Sequence, residues 1–254
     1  MAVKLSVKSE SQSDAQEPLI GAKNSGGKNE IIVISLGGSL IVPAEIDFRF
    51  LKNFRKFILA QMRLGKRFIL ICGGGKTCRK YQAAARKIVR LNNNDIDWLG
   101  IHATRINAHL LRTIFVKEAH PKIIKPVDKI IFKERIIIAA GWKPGNSTDY
   151  CAVLLAKKYR AKKILNLSNI DFVYDRDPRK DKNAKPLEKT SWQNFRRLIP
   201  KKWSPGLNSP FDPVASRTAH NQGLEVAIIN GKNFASMKNY LAGKKFKGTV
   251  ISSL

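Results

Sequence analysis

Short apolar runs that alternate with helical patterns constrain the fold of this chain more than any other feature. The runs "IIVISL", "RFILIC", "RIIIAA", "KKILNLS" and "LEVAIIN" are rich in β-branched residues, and stretches with helical periodicity separate them. Continuous apolar strands are buried on both faces, and strands that alternate with helices form mostly parallel sheets. The sequence therefore predicts an α/β protein, a three-layer αβα sandwich around a mostly parallel central sheet.

The segments between these runs extend the prediction. Helices are predicted for "DFRFLKNFRKFILAQMRLG", "GGGKTCRKYQAAARKIV", "DIDWLGIHATRINAHLLRTIFVKEA", "STDYCAVLLAKKYRA", "SWQNFRRLI" and "DPVASRTAHNQG". Ser147 or Thr148 is a suitable N-cap for the fourth of them. Further short strands are predicted for "KIIK", "KIIF" and "GTVIS", and a charged, hairpin-like segment precedes "SWQNFRRLI". Residues 1–29 are predicted to be a disordered tail, because so few apolar residues cannot offset the entropy of ordering.

Composition excludes several classes of protein. Among the 254 residues, no apolar run approaches the ~20 residues that span a bilayer. The N-terminus lacks the apolar core of a signal peptide, so we expect a cytoplasmic protein without a membrane segment. Cys72, Cys78 and Cys151 form no C-x-x-C pair, which indicates reduced structural thiols rather than a metal site or a disulfide.

The net charge is unusually positive. Lysine and arginine number 47 against 19 acids, a formal charge of +28. Such a surface favours polyanions, so non-specific contact with nucleic acid is possible. The charges are dispersed, however, and no helix-turn-helix, zinc-finger or RNA-binding signature accompanies them. A basic proteome or a saline cytoplasm would explain the same composition.

Three glycine turns follow predicted strands, at residues 36–39 ("LGGS"), 72–76 ("CGGGK") and 140–148 ("AGWKPGNST"). Glycines permit close backbone approach, and the helix N-termini that follow offer unpaired N–H groups and partial positive charge to a phosphate. None of the turns is a Walker A loop or a G-x-G-x-x-G fingerprint. Each turn alone could be an ordinary connector, but three at strand ends indicate a phosphate-binding α/β protein.

The order of the motifs resembles the amino acid kinase superfamily, and most closely its archaeal-type uridylate kinases. The resemblance rests on "ISLGGSLIVPAEIDF", "ICGGGKTCRKY", "DWLGIHATRINAHLL", "AAGWKPGNSTDYCAVLLA" and "LNLSNIDFVYDRDPRKDKNAKPLEK", and it ends with "FDPVASRTAHNQGLEVAIIN". It covers residues 30–254. It implies an acceptor lobe at about residues 30–160 and an ATP lobe at about residues 161–254.

The resemblance also implies site residues and an activity, the transfer of the γ-phosphate of ATP to UMP in pyrimidine nucleotide biosynthesis. The positions that match the ATP site are Gly37, Gly38, Ser39, Gly75, Arg79, Ser168, Asn169, Tyr174 and Asp177. Those that match the UMP site are Gly74, Asp97, Trp142, Lys143, Pro144, Gly145, Asn146, Ser147 and Thr148. Asp149 matches an acid that in relatives organises catalytic lysines or a metal. Related kinases form hexamers, which implies a homo-oligomer with the helix at residues 97–118 as a candidate interface.

Phosphoryl transfer between nucleotides requires positioning and dense positive charge more than a nucleophilic side chain. Asp149, Lys76 and Lys143 are the candidate catalytic residues. Lys180, Lys182 and Lys185 are alternatives for the charge at the transferring phosphate. Mg²⁺ would enter with ATP and bridge its phosphates, and no protein ligand for the metal is assigned.

Simpler interpretations of the same residues stay open. Asp97 and Asp149 could be helix N-terminal acids that stabilise the macrodipole, and Tyr174 and Asp177 could be turn residues. His102 and His109 are expected to be surface residues rather than catalysts. Trp142 could stack on uracil or close the mouth of the pocket.

Two departures from the family pattern bear on turnover. Ser35 stands where many relatives carry a charged residue, and Phe172 replaces a glycine in the block "NIDFVY". Two other functions stay open, of which these changes and the +28 charge favour the second. One is a kinase for another acceptor, such as acetylglutamate or isopentenyl phosphate, and the other is a nucleotide- or polyanion-binding protein without turnover.

Overall fold

A computed structural model describes residues 29–204, 206–207 and 209–253 of the chain. Its strands are β1 (Ile31–Leu36), β2 (Arg67–Cys72), β3 (Ile136–Ala139), β4 (Lys163–Ser168), β5 (Val173–Tyr174), β6 (Pro186–Leu187), β7 (Lys189–Ser191), β8 (Glu225–Asn230) and β9 (Thr249–Ser252). Its helices are α1 (Gly38–Ile41), α2 (Phe48–Arg63), α3 (Gly75–Ile88), α4 (Asn93–Ile114), α5 (Thr148–Lys158), α6 (Trp192–Leu198), α7 (Pro213–Asn221) and α8 (Phe234–Leu241). The predicted disordered tail lies outside the described residues, apart from Asn29.

The central sheet has seven strands in the order β3-β2-β1-β4-β8-β9-β7. The first five of these run parallel, whereas β9 is antiparallel to β8, and β7 runs with β9. The prediction of a mostly parallel sheet is therefore confirmed. Because parallel strands end on the same side, β1, β2, β3, β4 and β8 share one carboxyl edge. The last residues of those five strands form this carboxyl edge.

Apolar side chains of the sheet face two helical layers. In β1, Ile32 and Ile34 belong to one core cluster, while Ile31 and Val33 belong to the other. The first cluster includes residues of α2, α4 and α8, and the second includes residues of α5, α6 and α7. This burial on both faces explains why the strand sequences are apolar at most positions, and it confirms the three-layer αβα sandwich.

Two of the predicted strands were wrong. Neither "KIIK" nor "KIIF" forms a strand; the segment between α4 and β3 touches the sheet edge only at isolated bridges, from Ala119 to Ile136 and from Ile124 to Ala139. Pro121 and Pro126 flank "KIIK" and lack the N–H that a ladder requires. The apolar residues of this segment cover the edge strand β3, and Ile124 and Phe132 are buried there.

The remaining predicted elements are present with shifted ends. α4 begins at Asn93, where the side chain of Asn92 accepts a hydrogen bond from the Asp95 N–H, and it ends earlier than predicted, at Ile114. The charged segment before α6 forms the small antiparallel sheet of β5 and β6. No helix in the described part of the chain is long and apolar enough to cross a membrane.

The sheet is continuous across the expected division between lobes at residues 160 and 161. β4, which follows that division, pairs in register with β1 of the expected acceptor lobe, with Ile34 opposite Leu165. The carboxyl edge is therefore a single surface to which both halves of the chain contribute.

Candidate functional site

The carboxyl edge collects the three glycine turns that the sequence indicates. Gly37 follows β1, Gly73 follows β2, and Gly141 comes two residues after the end of β3. The helices α1, α3 and α5 begin at or shortly after these turns. In open parallel sheets, ligands bind where strands end and helices begin, so this edge is the candidate functional site.

The first two turns are in direct backbone contact. A methyl carbon added to Gly38 would lie 2.0 Å from the backbone nitrogen of Gly75, and one added to Gly73 would lie 2.5 Å from that of Gly38. Gly75 also has a φ of +64°, a conformation that glycine adopts without strain. The Gly73 N–H donates to the Leu36 carbonyl over 2.9 Å, which fixes the second turn to the end of β1. The glycines are therefore required for packing, independently of any ligand.

Positive groups surround this contact. Gly74 is the N-cap of α3, and Lys76 and Arg79 lie exposed in the first turns of that helix. Ser39 lies half-buried in α1. Within the described residues neither Lys76 nor Arg79 has an acidic partner within 4.0 Å. Unpaired cations beside a helix N-terminus form a favourable environment for phosphate.

The third turn is held by residues from α4. Thr104 Oγ1 accepts a hydrogen bond from the Gly141 N–H over 2.8 Å, and Asp97 Oδ2 accepts one from the Gly145 N–H over 2.7 Å. Within the turn, the Asn146 side chain donates to the Pro144 carbonyl. Ser147 is the N-cap of α5 and accepts from the Tyr150 N–H, so Thr148 is the first helical residue. Residues 142–148 therefore form a braced loop beside α4.

Trp142 has a structural role in this loop. Its half-buried ring packs against the core cluster on the α5 side of the sheet, and the Lys143 ammonium lies 4.4 Å from the ring centroid. This is a cation–π arrangement. Trp142 thus closes the inner side of the loop and carries the positive charge of exposed Lys143 on its outer face.

Helix α4 also fixes the second turn. The buried Asn107 side chain donates to the Gly73 carbonyl over 2.7 Å. Together with Asp97 and Thr104, it gives one helix three contacts to two glycine turns. Thr104 and Asn107 are not among the residues that the sequence patterns single out. The available signal was two polar residues three positions apart on the buried face of an amphipathic helix.

A pair of carboxylates lies at the centre of the carboxyl edge. Ser35, the last-but-one residue of β1, donates its hydroxyl proton to Asp149 Oδ1 over 2.8 Å. The other oxygen of Asp149 accepts the Asp212 N–H over 3.2 Å. Asp149 therefore turns towards the sheet instead of capping its own helix, which argues against the interpretation as a simple N-terminal acid. Burial raises the pKa of Asp149 to about 6; the Ser35 hydrogen bond opposes this rise and the charge of Asp212 adds to it.

Asp212 is the second carboxylate, and the sequence patterns give it no role beyond the start of a helix. Its Oδ1 caps α7 by accepting from the Ala215 N–H, while its Oδ2 is buried without a hydrogen-bond partner in the described structure. The residue is only 5% exposed, and burial raises its pKa. A buried carboxylate oxygen without a partner is costly unless a cation or proton approaches it.

This arrangement fits a hard cation. Mg²⁺ prefers carboxylate oxygens and is commonly bound by one or two carboxylates together with substrate phosphates. Asp149 and Asp212 supply two such groups beside the glycine turns. The described residues contain no cluster of three or more His, Cys, Asp or Glu that could enclose a metal without a substrate. The donor set therefore suits an ion that enters with phosphate, and Asp149 and Asp212 are the residues that would hold it.

Of the residues expected at the donor nucleotide, Ser168 and Asn169 lie at the carboxyl edge, whereas Tyr174 and Asp177 belong to the separate small sheet of β5 and β6 and its turn. Ser168 ends β4 and Asn169 follows it, exposed, while the Ser168 carbonyl accepts the Gly231 N–H after β8. Tyr174 is in β5 and Asp177 in the turn between β5 and β6. The Arg179 side chain holds the pKa of Asp177 at about 2, and the hydrogen bonds of Asp177 stay within its own hairpin. Asp177 therefore shows no contact with the glycine turns.

Phe172 does not strain the chain. Among the described residues other than glycine, only Asn29 and Arg160 have positive φ, so the turn at Phe172 needs no glycine. The preceding Asp171 is anchored by Asn230 and Lys247, and the hydrogen bond from Lys247 lowers its pKa. The departure at Phe172 is thus accommodated by the local backbone.

The three alternative lysines lie between β5 and β6, at Lys180, Lys182 and Lys185. They are distant in sequence from Asp149 and Asp212 and, in the described structure, form no ion pair with either carboxylate.

Several known proteins are similar to this chain in sequence and in fold. The sequence model of the amino acid kinase family matches residues 30–230. A uridylate kinase from Pyrococcus abyssi is 33% identical over 224 residues, which cover 87% of this chain and 98% of that protein. One from Thermoplasma volcanium is 35% identical over 227 residues, covering 88% of this chain and 98% of that protein.

A solved structure extends the likeness from sequence to fold. The crystal structure of uridylate kinase from Archaeoglobus fulgidus superposes with a TM-score of 0.73 at 28% identity and covers 87% of this chain and 99% of that one. The residues that the family model matches, 30–230, include both carboxylates and all three glycine turns. The chain therefore belongs to the amino acid kinase family, and within that family to the uridylate kinases.

Proposed function

We propose that this protein is a UMP kinase, which transfers the γ-phosphoryl group of ATP to UMP and releases ADP and UDP. The contact between the first and second glycine turns carries the proposal. The two turns meet at Gly38, Gly73 and Gly75, so phosphates bound at the two turns would be neighbours. The relatives named above are uridylate kinases, which supports UMP as the acceptor.

The third turn supports a nucleotide acceptor. Asp97 is a half-buried acid whose Oδ2 bonds to the loop at Gly145, which leaves its other oxygen for a ribose hydroxyl. An isoprenoid phosphate offers no hydroxyl for such an acid. The loop at residues 142–148 would surround the UMP phosphate with Lys143 and the N-terminus of α5. We assign Gly74, Asp97 and the residues of this loop to UMP.

In the proposed reaction, an oxygen of the UMP phosphate forms a bond to the γ-phosphorus of ATP. The bond between that phosphorus and the oxygen that bridges it to the β-phosphorus breaks, and ADP leaves with the electron pair. The attacking phosphate is already an anion, so no side chain needs to remove a proton. The work of the protein is to align the phosphates and to supply positive charge, and we assign the positive charge to Lys76, Lys143 and Arg79.

Mg²⁺ would be held by Asp149 and Asp212 together with the phosphates of ATP, and when bound it would neutralise charge that develops on the transferring group. Ser35 and the Asp212 N–H orient Asp149 for this task. We assign to the ATP site the residues Gly37, Gly38, Ser39, Gly75, Arg79, Ser168, Asn169, Tyr174 and Asp177. We infer that the functional division of the chain into acceptor and ATP lobes lies near residue 160.

We further infer a homo-oligomer, with a hexamer as the expectation from the family. On α4, Trp98 and Ile106 are 39% and 61% exposed, and on α3, Tyr81 and Ile88 are 64% and 82% exposed. α3 and α4 pack on each other, and we infer that these exposed side chains contribute to one apolar surface. Large exposed apolar patches commonly mark surfaces that become buried between subunits.

UDP formation would place the enzyme in pyrimidine nucleotide biosynthesis.

An assay of ADP release in the presence of Mg²⁺ tests the proposal. UMP, CMP, acetylglutamate and isopentenyl phosphate are supplied separately as acceptors, and we expect turnover with UMP well above that with the others. Binding of an unreactive ATP analogue is measured in parallel. Nucleotide binding without turnover on any acceptor would instead support a binding protein, and preference for another acceptor would reassign the loop at residues 142–148.

A further inference from the structure

A basic cavity lies between α6 and the N-terminal part of α7, next to Asp212, and none of its lining residues is among those assigned above. Its volume is about 390 Å³, within the range of ~300–1,000 Å³ typical of small-molecule sites. It is lined by Gln193, Arg196, Arg197, Ile199, Pro200, Lys201, Pro213 and Arg217. We propose that this cavity is a second anion site, which binds a phosphorylated small molecule of nucleotide size.

The charge of the cavity is uniform. Four of its eight lining residues are cations, none is an acid, and within the described residues none of the four has an acidic partner within 4.0 Å. Cations that line one cavity repel one another, and a multivalent anion would remove that repulsion.

The position of Arg217 is not explained by helix electrostatics. Arg196 and Arg197 are in the last turn of α6, where cations favour the helix dipole. Arg217 is instead the central residue of α7, away from the helix C-terminus that would favour a cation. Its Nη1 donates to the Lys201 carbonyl over 3.3 Å, which links α7 to the chain that follows α6. Arginine forks of this kind suit phosphate oxygens, which they can bind with two hydrogen bonds.

The floor of the cavity favours a ligand with an organic part. Ile199 and Pro213 are buried, and Pro200 adds a further apolar surface. Gln193 is exposed and offers both a donor and an acceptor. A nucleoside polyphosphate combines anionic and flat apolar parts that match these groups. The proposal concerns a site other than the active site and does not rest on UMP kinase activity.

Calorimetric titration with inorganic tripolyphosphate tests the proposal. The active site is first filled with UMP, Mg²⁺ and an unreactive ATP analogue, so that any further binding reports a second site. We expect one additional equivalent to bind, and binding to weaken at least tenfold in the double variant Arg196→Gln/Arg217→Gln. The matched control is Lys52→Gln/Lys56→Gln on α2, which removes the same charge from the opposite face of the sheet. It should change the affinity less than twofold.

The outcomes separate a site from general attraction. No binding beyond the filled active site, or equal weakening in both double variants, would overturn the proposal. Repeating the titration with inorganic phosphate, ADP and GTP distinguishes a simple phosphate ligand from a nucleotide. Binding of a single-stranded RNA that depends on Arg196 and Arg217, without binding of tripolyphosphate, would contradict a small-molecule site and indicate a nucleic-acid contact. Circular dichroism of each variant checks that it is folded.

Discussion

The hydroxyl of Ser35 donates a hydrogen bond to Asp149 across 114 positions of the chain, and the two residues join β1 to the first turn of α5. Ser35 is only 3% exposed, and this bond satisfies its hydroxyl in the interior. Because serine is uncharged, Asp149 and Asp212 are the charged groups at this point of the carboxyl edge.

Replacing Ser35 with alanine should reduce turnover. The Ser35 hydrogen bond lowers the pKa of Asp149, so its loss raises that pKa further and leaves less carboxylate at neutral pH. Hydrogen bonds to charged groups contribute ~1.5–3 kcal/mol, so we expect kcat at pH 7 to fall roughly tenfold. The acidic limb of the pH–rate profile should move to higher pH.

Ser236→Ala is the matched control for this variant. Ser236 is also a buried serine, in α8, where its hydroxyl accepts the Lys247 N–H rather than facing a carboxylate. Its replacement should affect stability but leave kcat and the pH profile unchanged. An unchanged pH profile for Ser35→Ala would contradict the role given to the hydroxyl.

The pKa of Asp149 predicts a pH dependence of stability. The ordinary value is 3.8 and the folded value is about 6, so the contribution to stability is fully present below pH 3.8 and is lost as the pH rises through about 6. Each pKa unit corresponds to ~1.4 kcal/mol. Because Asp149 keeps some exposure to solvent, we expect the free energy of unfolding to fall by about 1–3 kcal/mol between pH 4 and pH 7.

Asp149→Asn should remove this dependence. The amide oxygen can still accept the Asp212 N–H, and the amide nitrogen can donate to Ser35. Urea unfolding at several pH values, with a chelator present, should show the variant equal to or more stable than the wild type at pH 7, although its turnover is lost. Asp95→Asn on the surface of α4 is the control. If both variants change the pH dependence of the free energy of unfolding by the same amount, the effect is due to net charge and not to the burial of Asp149.

The sequence predicts the sheet and the glycine turns because both depend on local signals. Continuous apolar runs require burial on two faces, and glycines after them require a tight turn at the strand end. The strands expected at "KIIK" and "KIIF" failed because composition does not reveal that a segment covers an edge strand at two points instead of pairing along it. The prolines at positions 121 and 126, which lack an N–H, were the sequence feature that argued against a paired strand here.

The site was predicted less completely, and the reason is geometric. Asp212 resembles an ordinary N-cap, and it is one, since its Oδ1 caps α7. Its second role arises because the start of α7 meets the start of α5, which no local pattern encodes. Thr104 and Asn107 likewise acquire their importance from the approach of α4 to turns more than 30 residues away. Trp142 could be assigned only when its packing against the core was known.

Replacing Asp97 tests the acceptor site. In the wild type, burial raises the pKa of the Asp97 carboxyl. Asp97→Asn removes the negative charge but keeps an oxygen that can accept the hydrogen bond from the Gly145 N–H. The fold should be retained. If Asp97 binds the ribose of UMP, KM for UMP should rise roughly tenfold while KM for ATP changes less than twofold. Steady-state kinetics with each substrate varied in turn provide the measurement, with Asp95→Asn as the control on the same helix. Equal changes in both KM values would contradict the assignment.

Thr104 should act as a positioning residue for the acceptor loop. Its hydroxyl accepts the buried Gly141 N–H over 2.8 Å and donates to the Ile101 carbonyl over 2.7 Å. Thr104→Val keeps the shape of the side chain but leaves that N–H without a partner, at a cost of about 1–3 kcal/mol. We expect the loop to loosen and KM for UMP to rise several-fold, with little change in KM for ATP.

Thr104→Ser separates this role from packing. Serine keeps the hydroxyl and loses only a methyl group, so it should restore the KM for UMP even if it lowers the melting temperature. Hydrogen exchange at the Gly141 amide gives a readout independent of catalysis: exchange should be faster in Thr104→Val and close to the wild-type rate in Thr104→Ser. If both variants lose stability equally while KM for UMP stays unchanged, Thr104 contributes to the core alone and does not position the loop.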